Sequence, residues 1–314
     1  MKLKKIFHIS WPYTAVIGAQ VIWGINFLVA KLTLQEFPLM TLAFLRFAIA
    51  FLLLAPFLLV QKNSVNASRK DLPWLFLAGV LMVTLNIAFF FAGLMLTDIT
   101  TASAVTMSIP ILTIAFGWLF LREKIYLFNL MGIIFGLAGA IIVIGLPALL
   151  LGSRQMSSEG VIGNTLILLA SITWVAGSII SQKKLHRYST LTVTAFLFLT
   201  GTLTFFIPAM LEYIQHPAWT SKVTSFGFFG LIYLAAASSV SAYFLFEWGL
   251  RRIGAVQSNL FQYLEPLIAS ALGILVLQET AGISFILGGV LIAAGVYWST
   301  LKQESHKHHR AHRI

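Results

Sequence analysis

Long apolar runs dominate the chain, and charged residues fall almost entirely between them. Each run reaches or exceeds about 18 residues, the length that a helix needs to cross roughly 30 Å of hydrocarbon. The apolar residues do not alternate with polar ones as they do in a membrane β-barrel. The pattern therefore predicts an all-α integral membrane protein with ten transmembrane helices, at 13–33, 39–60, 73–95, 100–121, 127–149, 161–182, 190–211, 226–248, 256–277 and 281–301.

Composition agrees with this prediction. The chain is 59% hydrophobic and 10% charged, whereas a soluble domain carries about 25% charged residues. It contains no cysteine, which excludes disulfides, thiol catalysis and cysteine metal sites. We expect no cofactor and no metal. The histidines of the C-terminal tail are an alternative metal site, but their basic surroundings are more typical of a tail near anionic lipid headgroups: His306, His308, His309 and His312.

The basic residues indicate how the helices are oriented. If the N-terminus is cytoplasmic, all but four of the 21 Lys and Arg residues fall in cytoplasmic segments. Positive charge retained on the cytoplasmic side orients a bundle, so both termini are expected in the cytoplasm of a bacterial-type cell, with the chain in the inner membrane. The net charge of +11 therefore reflects topology, and we expect no nucleic-acid partner.

The second half of the chain repeats the first. Six positions recur at an offset of 156 residues, and Trp23 recurs as Trp174 at an offset of 151. Each half holds five predicted helices, an odd number, so the second half must enter the membrane from the opposite side. This predicts two inverted repeats, at 13–149 and 161–301, followed by a basic tail at 302–314. The six pairs are Gly93 and Gly249, Pro110 and Pro266, Leu121 and Leu277, Glu123 and Glu279, Gly132 and Gly288, and Gly139 and Gly295.

Three segments carry a resemblance to a known family. The opening WGINFLVAK…FPLMTLAFLRFAIAFLLL (23–54) resembles the start of an EamA domain of the drug/metabolite transporter superfamily. SAVTMSIPILTIAFGWLFLREK (103–124) and SNLFQYLEPLIASALGILVLQET (258–280) resemble the penultimate helix of each EamA domain. The resemblance covers nearly the whole chain as two tandem domains. It implies ten helices around a central cavity, and export or exchange of small metabolites, including amino acids.

Glu265 is the deepest predicted charge, near the middle of the ninth run and directly before Pro266. A carboxyl group in such a dry site could carry a proton, which makes Glu265 the expected proton-coupling residue or a site for a substrate amine. The alternative is a structural role, with the carboxyl paired to a basic residue or hydrogen-bonded within the packing. Position 109 in the first half is Ile, so the repeat itself does not require an acid there.

Two basic residues also fall within apolar runs. Arg46 and Lys31 could bind a carboxylate or phosphate. Structurally, Lys31 could instead extend to the membrane surface or pair with Glu36, and Arg46 could satisfy carbonyls at a helix end. The 151-residue offset matches them to Gln182 and Leu197, so the basic pair belongs to the first half alone. This asymmetry favours a site for one substrate, with Arg46 in its wall and Lys31 as a possible anion contact.

Further polar and aromatic residues are expected to line the central cavity. The ninth run is the most polar, and Trp23 and Trp174 occupy repeat-related positions inside their runs. Their alternative role is helix packing. The expected lining residues, in addition to Arg46, are Trp23, Asn26, Asn86, Thr106, Trp174, Ser178, Tyr243, Asn259, Gln262 and Tyr263.

Together these features predict a secondary transporter that exports a small metabolite, an amino acid or related compound, across the inner membrane by alternating access. No nucleotide-binding motif is present in the sequence, so we expect drive by protons or by substrate exchange. The alternatives are a scaffold or receptor that transports nothing and, less favoured, a membrane-embedded enzyme. We expect the bilayer and a small-molecule substrate as partners, with protons as a further partner if transport is proton-coupled, in a monomer or homodimer.

Overall fold

The structure is a computed structural model that describes residues 11–60, 68–121, 127–144, 157–184 and 187–300. Within these ranges the chain forms helices and turns, and no strand occurs there. The C-terminal tail, with its histidines, and Glu123 lie outside the described residues. The helices are α1 (Trp11–Thr33), α2 (Leu39–Val60), α3 (Leu72–Leu96), α4 (Ile99–Phe120), α5 (Leu127–Ile144), α6 (Ser158–Lys184), α7 (Thr190–Gln215), α8 (Ser225–Ile253), α9 (Gln257–Leu277) and α10 (Ile283–Thr300).

All of these helices except α5 and α10 are long and apolar enough to cross a membrane, which gives eight candidate spans among the described residues. Shorter apolar segments, Ile134–Val143 and Ile283–Gly295, lie within α5 and α10. The sequence prediction of an all-α membrane protein is confirmed. We name the two ends of the bundle after α1, which runs from the Trp11 end to the Thr33 end.

Four helices are irregular near their middle, and they form two repeat-related pairs. Helices α3 and α8 each contain a π-helical segment, Val80–Leu85 and Tyr233–Ser241. Helix α4 is interrupted by a turn after Thr106, and α9 by the 3₁₀ turn Phe261–Tyr263. In α4 and α9 the interruption comes just before Pro110 or Pro266, which suits the first turn of the helix that follows it. Irregular backbone at this depth is tolerated where protein surrounds it or a cavity adjoins it.

Helices of one half of the chain pack against helices of the other half. Helix α1 packs against α8, and its counterpart α6 packs against α3, the counterpart of α8. Helix α2 packs against α7, and α5 against α10, so each of these pairs joins a helix to its own repeat partner. The two halves therefore form one interdigitated bundle, whose core contains residues of both.

Glycines allow the closest of these contacts. A Cβ atom on Gly139 would lie 2.6 Å from the carbonyl oxygen of Gly288, and a Cβ atom on Gly288 would lie 2.6 Å from that of Gly139. The repeat-related contact, between Gly295 and the carbonyl oxygen of Gly132, shows the same 2.6 Å approach. These glycines thus allow α5 and α10 to approach closely within one chain.

Three glutamates close the Thr33 end by accepting hydrogen bonds from the beginning of a neighbouring helix. Glu279 accepts bonds from the backbone N–H groups of Ile99 and Thr100, both at 2.9 Å, and from Thr100 Oγ1 at 2.6 Å. Glu212 accepts from the first residues of α2, and Glu36 from Thr224 before α8. A carboxylate beside unpaired N–H groups at a helix N-terminus is stabilising.

Replacing Glu279 with Ala is therefore expected to destabilise the protein by about 1–2 kcal/mol, because three hydrogen bonds at the start of α4 are lost. Thermal unfolding of purified protein in detergent measures the effect as a lower apparent Tm. Glu159→Ala removes an exposed acid from the first turn of α6 and serves as the control, with a smaller expected change. Equal Tm shifts for the two variants would contradict the capping role of Glu279.

Candidate functional site

A central cavity of about 70 Å³ lies where α3, α4, α8 and α9 are irregular. Six helices from both halves contribute most of its wall, and α2 contributes Arg46 alone. Nine residues that the sequence analysis expected around a cavity are brought together here: Trp23, Asn26, Arg46, Asn86, Thr106, Trp174, Tyr243, Gln262 and Glu265. The remaining wall is mostly apolar and consists of Phe27, Ile87, Phe90, Ile109, Ala170 and Ser171.

Four aromatic rings, which we call the aromatic floor, lie between the cavity and the Trp11 end: Trp23, Trp174, Tyr243 and Phe246. Their contacts join ring centroids 5.0 to 5.7 Å apart. The floor is anchored to both π segments, because the Trp23 indole N–H donates to the carbonyl of Ser238 at 3.0 Å and the Tyr243 hydroxyl to that of Met82 at 3.1 Å. The three contacts among Trp23, Trp174 and Tyr243 are edge to face, a favourable arrangement for buried rings, and the two contacts of Phe246 are tilted.

A thinner barrier separates the cavity from the Thr33 end. Phe27 and Phe90, one turn nearer that end on α1 and α3, meet edge to face with centroids 5.0 Å apart. Both rings are buried. The cavity thus has one ring pair on its Thr33 side and four rings on its Trp11 side.

Arg46 is fully buried and is held by the π segment of α8. Its Nε atom donates to Ser239 Oγ at 2.7 Å, and its Nη2 atom donates to Ser238 Oγ at 3.0 Å. The rings of Phe47 and Phe91 lie 5.1 and 5.9 Å from the guanidinium carbon. The third nitrogen, Nη1, is buried without a hydrogen-bond partner among the described residues, and no described acid pairs with Arg46. An isolated buried charge of this kind is costly, so it requires a functional explanation.

Glu265 lies in the cavity wall within the first turn of the last segment of α9, Leu264–Leu277. Its side chain is 94% buried, and among the described residues it makes neither a hydrogen bond nor an ion pair. The expected alternative, a structural pair with a basic residue, is therefore absent from this part of the chain. The beginning of a helix favours negative charge, so this position suits a carboxyl group that can gain and lose a proton.

Four other expected site residues lie outside this cavity. Ser178 and Asn259 lie on the Trp11 side of the aromatic floor, where Asn259 Nδ2 donates to Thr113 Oγ1 at 2.9 Å and to Ser178 Oγ at 3.4 Å. Tyr263 lies in the 3₁₀ turn of α9 without lining the cavity. Lys31 donates to the carbonyl of Thr97 at 2.5 Å and lines a separate recess at the Thr33 end. Its expected alternative partner, Glu36, bonds Thr224 instead.

Two residues near the site were not expected from the sequence. Glu247, on α8 beside Phe246, is fully buried and accepts hydrogen bonds from Ser181 Oγ at 3.1 and 2.9 Å. An acid inside the predicted run 226–248 was the available signal. Ser239, which binds Arg46, carried no signal because single hydroxyl groups are common in membrane helices.

Comparison with known proteins agrees with the helical architecture. A family model described as "EamA-like transporter family" matches residues 10–145 and 161–301. An "Uncharacterized transporter" of Archaeoglobus fulgidus is 27% identical over 90% of this chain and 95% of its own length. A WAT1-related protein of Arabidopsis thaliana is 24% identical over 79% of this chain and 71% of its own length. A solved crystal structure shares the fold, with a TM-score of 0.65 and 21% identity over 92% of this chain and 96% of that one.

These observations define a multi-pass membrane transporter. The chain belongs to the EamA-like transporter family, which confirms the resemblance found in the sequence.

Proposed function

We propose that this protein is a secondary transporter that exports a small metabolite, an amino acid or related compound, by alternating access. The observation that carries the proposal is the central cavity, whose wall contains Arg46 and Glu265, neither of them in an ion pair among the described residues, beside amide, hydroxyl and apolar side chains. Buried charges without partners are expensive in a membrane protein and are typical of substrate and ion pathways. Glu265 lies on the broken helix α9, and Arg46 is hydrogen-bonded to the π segment of α8. Transporters of several folds bind their substrates at such broken helices.

The architecture that we propose is two inverted repeats of five helices each. Support comes from the reciprocal packing of α1 on α8 and α6 on α3, and from the matched irregularities in α3, α4, α8 and α9. The contact of Gly139 with Gly288 recurs as that of Gly295 with Gly132. Two halves related in this way can exchange conformations, which opens one site alternately to the two sides of a membrane.

Alternating access also explains the polar groups beyond the aromatic floor. In this conformation several polar atoms on the Trp11 side are buried without partners among the described residues, which costs free energy in a dry interior. Water would satisfy these atoms once the floor separates. They are both side-chain polar atoms of Gln20, Ser258 Oγ and Asn259 Oδ1.

We assign the Trp11 end to the cytoplasm. Arg69, Lys70, Lys183, Arg187 and Arg251 cluster at that end within the described residues. Positive charge next to the membrane favours a cytoplasmic location. On this assignment both chain termini are cytoplasmic, and the aromatic floor closes the cytoplasmic side of the cavity in an inner membrane.

Glu265 is the proposed coupling residue. A proton that enters from the Thr33 side would neutralise the carboxyl, and the change to the state open at the Trp11 end would release the proton there. Substrate would then bind from the Trp11 side and move outward in the return step. The carboxyl would then be neutral as it passes through the closed, dry state, which avoids the cost of a buried charge. The inward proton gradient of the cell would drive export.

Transport into proteoliposomes tests the proposal. A labelled amino-acid mixture is offered to vesicles with and without an imposed pH gradient, beside empty vesicles. We expect saturable uptake that increases when the vesicle interior is more acidic than the medium, so that protons flow outward as substrate enters. A protein that incorporates into vesicles but moves no label in either condition would favour the receptor or scaffold alternative.

A further inference from the structure

We propose that Arg46 forms a carboxylate subsite in the central cavity, and that the transported molecule binds there through a carboxylate group. The inference rests on the proposed function, because it names the substrate chemistry of the same cavity. Three observations support it: the hydrogen-bond pattern around Arg46, the free donor on Asn26, and the distribution of charge around the wall.

The hydrogen bonds around Arg46 form chains whose direction is fixed. Arg46 can only donate, so the hydroxyl oxygens of Ser238 and Ser239 accept from it. Their own protons are then directed onward, from Ser238 Oγ to Asn26 Oδ1 at 2.7 Å and from Ser239 Oγ to the Leu234 carbonyl at 2.9 Å. These chains occupy Nε and Nη2 of Arg46 and leave Nη1 with no partner among the described residues.

The same chain supplies a second donor. Because Asn26 Oδ1 accepts from Ser238, the amide nitrogen Nδ2 is the free end of Asn26, and it has no hydrogen bond to a described residue. Asn26 and Arg46 both line the cavity. Two N–H donors, one of them charged, are the groups that a carboxylate binds most strongly.

The rest of the wall limits what the carboxylate is attached to. Arg46 is the only basic residue among the lining residues, and Glu265 is the only acidic one. The other lining residues are uncharged: rings and aliphatic side chains, such as Trp23, Phe27 and Ile87, with a few amide and hydroxyl groups. A molecule with one carboxylate, an apolar body and an ammonium group that can face Glu265 matches this distribution. An α-amino acid with an apolar side chain has all three, and an apolar carboxylic acid has two.

Arg46 also connects the carboxylate subsite to the aromatic floor. It is held only by hydroxyl groups of the π segment, whose Ser238 carbonyl in turn accepts the Trp23 indole N–H of the aromatic floor. A carboxylate bound to Arg46 therefore acts on the segment that anchors the floor. The structural alternative is an arginine that merely links α2 to α8.

Calorimetric titration of the purified, full-length protein tests the subsite. Leucine, methionine and phenylalanine are each compared with the corresponding amide, which keeps the ammonium group and apolar body but lacks the carboxylate. We expect at least one amino acid to bind, and its amide to bind roughly 30-fold more weakly or worse. Arg46→Gln should weaken binding of the amino acid by a similar factor while leaving binding of the amide unchanged.

Further ligands and variants make the result decisive. Arg46→Lys keeps the charge but loses the fork, so its affinity should fall between those of the wild type and Arg46→Gln. Arg252→Gln removes an exposed arginine of α8 and should bind like the wild type. 4-Methylpentanoate distinguishes the two carboxylate sources: binding as tight as leucine would show that no ammonium group is needed, and much weaker binding would show that it is. Either outcome supports the subsite if Arg46→Gln removes the binding.

The inference is overturned if the amides bind as tightly as the amino acids, if Arg46→Gln weakens both equally, or if none of the carboxylates binds. Stability separates the structural alternative. Removal of an unpaired buried charge should leave the apparent Tm of ligand-free Arg46→Gln unchanged or higher, whereas a purely structural link would lower it and leave affinity intact. Transport of a carboxylate-free amine would overturn the subsite while the transporter assignment stands. Carboxylate binding without transport would support the subsite and overturn the transporter assignment.

Discussion

Glu265→Gln is expected to abolish transport driven by a pH gradient while leaving the protein folded. The amide has nearly the shape of the protonated carboxyl but cannot release a proton, and no described partner of Glu265 is lost by the change. Gradient-driven accumulation in proteoliposomes should therefore fall to the level measured without a gradient.

The matched control is Glu159→Gln, which removes an exposed acid at the start of α6 and should accumulate substrate like the wild type. An unchanged apparent Tm of Glu265→Gln establishes that folding is intact. If Glu265→Gln still accumulates substrate in response to the gradient, the coupling carboxyl lies elsewhere. The buried Glu247 would then be the next residue to replace, since it lies on the other side of the aromatic floor.

Gly288→Ala is expected to cause the largest loss of stability among single-methyl additions to α10. The new Cβ atom would lie 2.6 Å from the carbonyl oxygen of Gly139 and would also contact Val143, so α5 and α10 must move apart. Overpacking of this kind costs about 1–3 kcal/mol or more. Two of the contacted atoms belong to the backbone, which cannot move aside as a flexible side chain can.

Its neighbour provides an internal control, because a Cβ atom on Gly289 would meet nothing within 4 Å. Gly289→Ala adds the same methyl group to the same helix and gains helix propensity, by up to about 1 kcal/mol. Apparent Tm values should therefore move in opposite directions for the two variants. A Gly288→Ala variant as stable as Gly289→Ala would contradict the close contact of α5 with α10.

The fold was largely predictable because the physics of the bilayer leaves few choices. Apolar runs of membrane-spanning length must be helical, so the ranges of α1 and α2 follow from the sequence almost residue for residue. Pro110 and Pro266 lie just after the irregular points of α4 and α9, so a proline inside an apolar run was an available signal for them. The π segments of α3 and α8 were not predictable, since Val80–Leu85 and Tyr233–Ser241 contain no residue that forces the extra turn.

The residues around the cavity were partly predictable for a different reason. Charges and amides inside an apolar run must face protein or a cavity, which brought attention to Arg46, Asn26 and Glu265. The sequence indicates which side chains are polar more reliably than it indicates their depth in the bundle. Ser178 and Asn259 are polar and buried as expected, but they lie one turn beyond Trp174 and one turn before Gln262, on the far side of the aromatic floor. A difference of one turn, about 5 Å, decides on which side of a thin barrier a side chain lies.

Accessibility of a single cysteine in the cavity wall tests alternating access most directly, and the chain has no native cysteine to remove. Ala170→Cys places a thiol in the wall, and Leu275→Cys places one on an exposed apolar surface as a control. The account predicts that a membrane-impermeant maleimide labels the Ala170→Cys protein from both faces of the membrane. A reversed pH gradient should raise labelling from one face as it lowers labelling from the other. Labelling from one face only, indifferent to the gradient, would contradict alternating access.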